Sequence, residues 1–175
     1  PQEIRTSLTR RDHVRRDQDF VSVVIDPAGH RQSAQFFRVS ASGVVADGLF
    51  TASDDGEDFS PDFDVQAAAA RLPDGYSVEL RIPLSSLRYP FHEGLPWRLM
   101  VVRSVPRDSA HLLVSAPLTR ESLSFIAEMP VLQGLDDLVN QVRERSFFAV
   151  RPELTGRAVK QRDEAGQETR ERKLT

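Results

Sequence analysis

Seven carboxylates crowd a stretch that holds no cation. Between Val39 and Ala70 there is no Lys or Arg, while Asp47, Asp54, Asp55, Glu57, Asp58, Asp62 and Asp64 all fall inside it. The run Asp54-Asp55-Gly56-Glu57-Asp58 offers hard oxygen ligands, the donor set that Ca²⁺ takes. Its spacing is not that of an EF-hand loop, and a solvated acidic loop is the alternative reading. Asp17 and Asp19 form a second acidic pair, either ligands or the cap of a turn ahead of a strand. The histidines His13, His30, His92 and His111 lie far apart and lack metal-ligand spacing. Ser85 and Ser86 have no nucleophile-elbow context. Asp54 and Asp55 are adjacent on one segment, an arrangement that seldom places two carboxyls across a glycosidic bond. No glycine-rich loop is present to cradle a phosphate. The absence of Cys removes disulfides, thiolate metal sites and a thiol nucleophile. The side-chain chemistry therefore points to binding and not to an enzyme.

The elements that must position these residues read as strands and turns. Phe20–Asp26 is β-branched and apolar, Pro27-Ala28-Gly29 supplies a turn, and Gln35–Ser40 follows as the hairpin partner. Ser42-Gly43 and Asp47-Gly48 punctuate the next stretch. In the segment after Pro73-Asp74-Gly75, Tyr76, Val78, Leu80 and Ile82 alternate with Ser77, Glu79 and Arg81, the period of a half-buried strand. The short Asp-Gly turn predicts that residues 64–71 pair with it as a strand, against the helical preference of their alanines. Pro83–Tyr89 is a short helical turn or loop with proline at its start. Trp97–Val105 and His111–Pro117 are further strand candidates. Alternation assigns Trp97, Tyr76, Phe20, Phe36 and Phe37 to the core. No long amphipathic helix appears. The expected fold class is all-β, an antiparallel sandwich. From Lys160 to Thr175 apolar residues almost vanish, which predicts a loop or mobile tail. Phe148–Ala158 alternates apolar or small residues with polar ones, the pattern of an outer-membrane barrel strand or of an edge strand with one wet face.

Several stretches taken together resemble a known family. RRDQDFVSVVID, QFFRVSASG, DGYSVELRIPLSSLRYP and WRLMVVRSVPR occur in the order found in carbohydrate-binding-module family 9-like domains. The block from Glu79 to Arg88 carries the most specific part of the likeness. The variant most similar precedes a barrel domain in large Gram-negative outer-membrane proteins. There the barrel opens with a Gly-Leu segment and an aromatic strand, which Gln133–Leu138 and RSFFAVRPELTGRA resemble.

The resemblance implies a family 9 carbohydrate-binding-like sandwich over residues 1–130 that lacks its first strands. Residues 131–175 would hold a linker, one strand like the start of a barrel, and a polar tail. It implies a non-catalytic module facing the periplasm at the outer membrane of a Gram-negative bacterium. Its expected partners are a glycan and the barrel domain of its own full-length protein. Family ligand sites use a Trp, an Arg and a second Trp. Arg38 stands at the Arg position, Arg16 at the first Trp position, and Leu112–Leu113 near the second. Arg38 and Arg16 are thus the expected carbohydrate-binding residues, although both aromatic platforms are replaced. For Arg38 the alternative is a salt-bridged surface strand residue. Some family members carry structural metals, which keeps Ca²⁺ at Asp54, Asp55, Glu57 and Asp58 as an expectation. The alternative function is a structural or protein-interaction module with no small ligand, forming oligomers through exposed sheet edges. The net charge of −3 argues against nucleic acid as a partner.

Overall fold

The computed structural model describes residues 3–89, 95–107, 111–119, 121–122, 124–134, 156–162 and 168–174. Chain contacts divide into two units, Pro1–Arg145 and Ser146–Thr175. The first is built on a six-stranded antiparallel sheet. Its strands are β1 (Phe20–Asp26), β2 (Ser33–Ser40), β3 (Val45–Thr51), β4 (Asp54–Asp58), β7 (Arg98–Val105) and β8 (His111–Val114), in the order β4-β3-β2-β1-β7-β8. A separate hairpin, β5 (Gln66–Leu72) with β6 (Gly75–Arg81), forms a second small sheet. The result is all-β and sandwich-like.

Strands β1 and β2 lie at the centre, and most of their residues are buried. Their register sets Ser22 opposite Arg38 and Val24 opposite Phe36. β7 pairs on the other side of β1, with Met100 opposite Val24 and Val102 opposite Ser22. One face of the sheet carries Ile25, Phe37 and Trp97, and here Val65, Leu80 and Ile82 of the β5–β6 region pack down. Alternation thus places Trp97 in the core, at 5% exposure, beside the Tyr89 ring with centroids 5.2 Å apart. Within the hairpin, Ala67 faces Leu80 and Ala69 faces Val78. The alanines of β5 form a strand because tertiary pairing outweighs their intrinsic preference.

Buried polar groups tie the layers together. Gln35 donates from Nε2 to the Ser86 carbonyl and accepts from the Arg88 N–H, holding a single 3₁₀ turn (Leu84–Ser86) against β2. Asp26 accepts the N–H groups of Ala28, Gly29 and Arg31 and so closes the β1–β2 turn. Gly29 sits at φ +72°, and a Cβ there would lie 2.7 Å from the Pro96 carbonyl oxygen. Asp47 accepts from the Phe63 N–H and from Arg11. Burial is the main influence on its carboxyl and raises its pKa above the ordinary 3.8.

Three sequence expectations change. Asp47-Gly48, read as turn punctuation, lies inside β3. Gly48 is there because a Cβ would fall 2.1 Å from the Asp58 carbonyl oxygen and 2.8 Å from the Phe36 ring, so only a residue without one lets β4 close on β3. Asp54–Asp58, read as a loop, is the edge strand β4. The tail from Lys160, expected to lack structure, contributes to β9 (Gly156–Arg162) and β10 (Glu168–Leu174), a hairpin with Glu168 opposite Arg162. Hairpin pairing satisfies backbone groups without a core, which apolar content does not measure. The Leu132 N–H donates to the Trp97 carbonyl, and Val131 bridges Arg98. Most of Phe148–Ala158 lies outside the described residues. No helix among the described residues is long and apolar enough to cross a membrane, which says nothing of β-barrels.

The residues before β1 form no strand but are anchored. Asp12 donates its N–H to the Val45 carbonyl and accepts the Asp47 N–H, meeting the part of β3 that β4 does not reach. Asp19, fully buried, accepts from the Arg5 N–H and from Arg107.

Candidate functional site

The second face of the large sheet is only partly covered. Period-2 alternation brings Phe20, Ser22 and Val24 of β1, Phe36 and Arg38 of β2, and Met100 and Val102 of β7 to this side. A short helix, α1 (Phe125–Glu128), covers one end. Ser124 caps it by accepting the Ile126 N–H, and Ile126 and Met129 plug the core beneath. Phe125 meets Phe50 of β3 edge-on, with ring centroids 5.1 Å apart. Between α1, β8 and the sheet lies a cleft of about 570 Å³. That volume falls in the ~300–1,000 Å³ range of small-molecule sites.

The cleft has an apolar body and one polar end. Phe50, Met100, Val102, Leu112, Val114 and Phe125 contribute to the body. Arg16, Ser22, Arg38 and Glu57 make the polar end. Arg38 is only 3% exposed. Its Nη2 donates to Glu57 Oε1 at 2.6 Å, and its Nη1 donates to Glu57 Oε2 at 3.2 Å and to the Val14 carbonyl at 3.0 Å. The guanidinium also lies 4.4 Å from the Phe20 ring centroid and 5.3 Å from that of Phe36. A two-point ion pair against aromatic faces is the arrangement that lets an Arg sit this deep. Arg16 reaches the same Glu57 Oε1 at 3.5 Å, with its side chain 64% exposed.

The structure therefore brings Arg16, Arg38 and Leu112 to one cleft, from positions far apart in sequence. Arg38 is salt-bridged, as one of its two readings expects, but it is buried rather than on the surface, and it lines the cleft. Of the acidic set, Glu57 and Asp58 turn to different partners. Consecutive strand residues point to opposite faces, so Glu57 turns to Arg38 while Asp58 accepts from the N–H and hydroxyl of Ser60. That contact holds the Asp58 carboxyl below its usual pKa. The side chains of Asp54 and Asp55 lie outside the described residues, as does His92. Among the described residues, no three His, Asp or Glu side chains group as a metal site. Asp19 is held by Arg5 and Arg107, partners distant in sequence, so it ties the segment before β1 to the end of β7 instead of capping the local turn.

Sequence reasoning missed Ser22 and the lid residues of α1. Ser22 interrupts an otherwise apolar face between Phe20 and Val24, a signal visible by alternation. The lid could have been suspected from Ser124 two residues ahead of Ile126, a capping residue before an apolar pair.

No protein-family model matches the chain, and no curated protein is significantly similar to it. Among solved structures, a proposed carbohydrate-binding protein from Bacteroides uniformis superposes with a TM-score of 0.54 at 14% identity over 72% of this chain. The chain spans 65% of that protein's length. At this identity the likeness shows the fold, an all-β antiparallel domain.

Proposed function

We propose that the first unit is a non-catalytic carbohydrate-binding module whose ligand occupies the cleft between α1, β8 and the large sheet. The observation that carries this reading is the polar end of the cleft, where Arg16, Arg38 and Glu57 converge beside an apolar body. A pyranose has weakly apolar faces and a rim of hydroxyls, so it needs both kinds of surface. Fixed donors and acceptors on rigid strands orient the rim, while Phe50 and Phe125 offer apolar area to a ring face. The Bacteroides uniformis likeness and the family 9 resemblance support the same class. In the reading proposed here, the module faces the periplasm and belongs to an outer-membrane barrel protein, on the strength of that resemblance and of the alternation in Phe148–Ala158.

Glycan-array screening followed by titration calorimetry tests the binding claim. The intact chain binds a saccharide, and Arg38→Ala and Phe125→Ala each weaken it by about tenfold or more, roughly 1.4 kcal/mol. Phe125→Ala guards against a folding defect in the buried Arg38 variant, with thermal melts run on both. Absence of binding to any saccharide on the array, with or without Ca²⁺, would sink the proposal.

A second reading has one observation in its favour. β8 is an edge strand with Leu112 44% and Leu113 55% exposed, an apolar edge available for pairing with another chain. On that reading the unit is an interaction module. The opposite edge, β4, is strongly acidic, the usual means of discouraging such pairing.

A further inference from the structure

We infer that the cleft selects acidic saccharides, with a uronate carboxylate received at its polar end. The inference rests on the carbohydrate-binding reading and names the class of sugar. Its basis is an excess of positive charge combined with unused donors. Among the described residues, Arg16, Arg38 and Glu57 are the charged side chains that line the cleft, two cations against one anion. Glu57 is already neutralised by the two-point pair with Arg38. Arg16 is left with a single 3.5 Å contact to an oxygen that Arg38 holds at 2.6 Å. Among the described residues it has no closer ion pair, and its exposed side chain can turn toward a ligand.

Buried donors point the same way. Ser22 is 3% exposed, and its Oγ has no hydrogen-bond partner. Arg38 is equally buried, and its Nε–H has none either. Buried polar groups are nearly always paired, and of the six buried side-chain atoms without a partner among the described residues these two are the ones whose side chains line the cleft. Ser22 and Arg38 are directly opposed across β1 and β2, so their side chains share the cleft face of the sheet. A hydroxyl offers one acceptor oxygen and brings a donor that Arg cannot use. A carboxylate offers two oxygens and only accepts, which matches a hydroxyl, an Nε–H and a second guanidinium. Glu57 does not repel it strongly while Arg38 holds it. The apolar body of the cleft then contacts the ring face.

Titration calorimetry on the whole chain with methyl β-D-glucuronide and methyl β-D-glucoside separates the possibilities. The glucuronide binds about tenfold or more tightly than the glucoside, an advantage that shrinks as salt rises from roughly 0.05 M to 0.5 M. Arg16→Gln, a change at an exposed side chain, abolishes that advantage, and Ser22→Ala reduces it. Equal affinities for the two glycosides, or a preference that survives Arg16→Gln, overturn the acidic-sugar inference and leave the carbohydrate reading intact. Failure of both to bind overturns the inference and counts against the carbohydrate reading as well.

Discussion

Arg38 concentrates the chemistry of the cleft in one side chain. It is buried against Phe20 and Phe36 and depends on Glu57 for its countercharge. The two partners are not equally placed, since Arg38 has 4% of its side chain exposed and Glu57 has 17%. Removing Glu57 leaves a cation stranded in a nearly dry site, whereas removing Arg38 leaves a carboxylate that water and Arg16 still reach. Glu57→Ala therefore destabilises the fold by about 3–5 kcal/mol, the usual result of orphaning a buried charge. Arg38→Met, which keeps the apolar stem, costs distinctly less. Urea denaturation of both variants checks the order, and a larger loss in Arg38→Met would contradict this account of the pair.

At the level of elements, the site depends on β4 closing against β3. β4 is short, acidic and at the sheet edge, held by backbone pairing to β3 and by the Glu57–Arg38 ion pair. That pairing runs past Gly48, where the Phe36 ring and the Asp58 carbonyl leave no room for a Cβ. Because Gly48 does not need a positive φ, the constraint is steric and not conformational. Gly48→Ala is expected to cost about 1–3 kcal/mol through overpacking. It also displaces Glu57 from Arg38, so saccharide affinity falls even where the domain remains folded. Amide exchange shows the effect locally: faster exchange confined to β3 and β4 supports it, and uniform protection throughout the sheet refutes it. The β5–β6 hairpin, packed on the opposite face, is expected to be unaffected.

For the whole molecule, the two units pose different questions. The first carries the cleft and its supporting core. The second contributes the β9–β10 hairpin, and the alternating segment before it motivates the proposed barrel context. Cell fractionation with an antibody against residues 1–145 tests that context in the source organism. The antigen is expected in the outer-membrane fraction, protected from added protease in intact cells and degraded once the outer membrane is opened. Antigen recovered only from the cytoplasm would refute the localisation.

How much was legible in the sequence differs by the range of the interaction. Strands β1, β2, β5, β6, β7 and β8 announce themselves by β-branched or apolar runs, by the period-2 pattern of β6 and by Gly, Pro and Asp turns, because these signals arise between residues close in the chain. The core positions of Trp97, Phe36 and Phe37 follow from the same alternation. β3 and β4 were hidden: Asp47-Gly48 carries turn chemistry, and four carboxylates in Asp54–Asp58 imitate a solvated loop or a cation site. Only tertiary packing explains them, since Gly48 answers to Phe36 and Asp58, and Glu57 answers to an arginine nineteen residues earlier. Local patterning determined that this chain makes an antiparallel sheet with one apolar core face. Long-range strand register decided the rest, because it alone gathers Arg16, Ser22, Arg38 and Glu57 at one end of a cleft and turns an acidic run into the countercharge of a buried arginine.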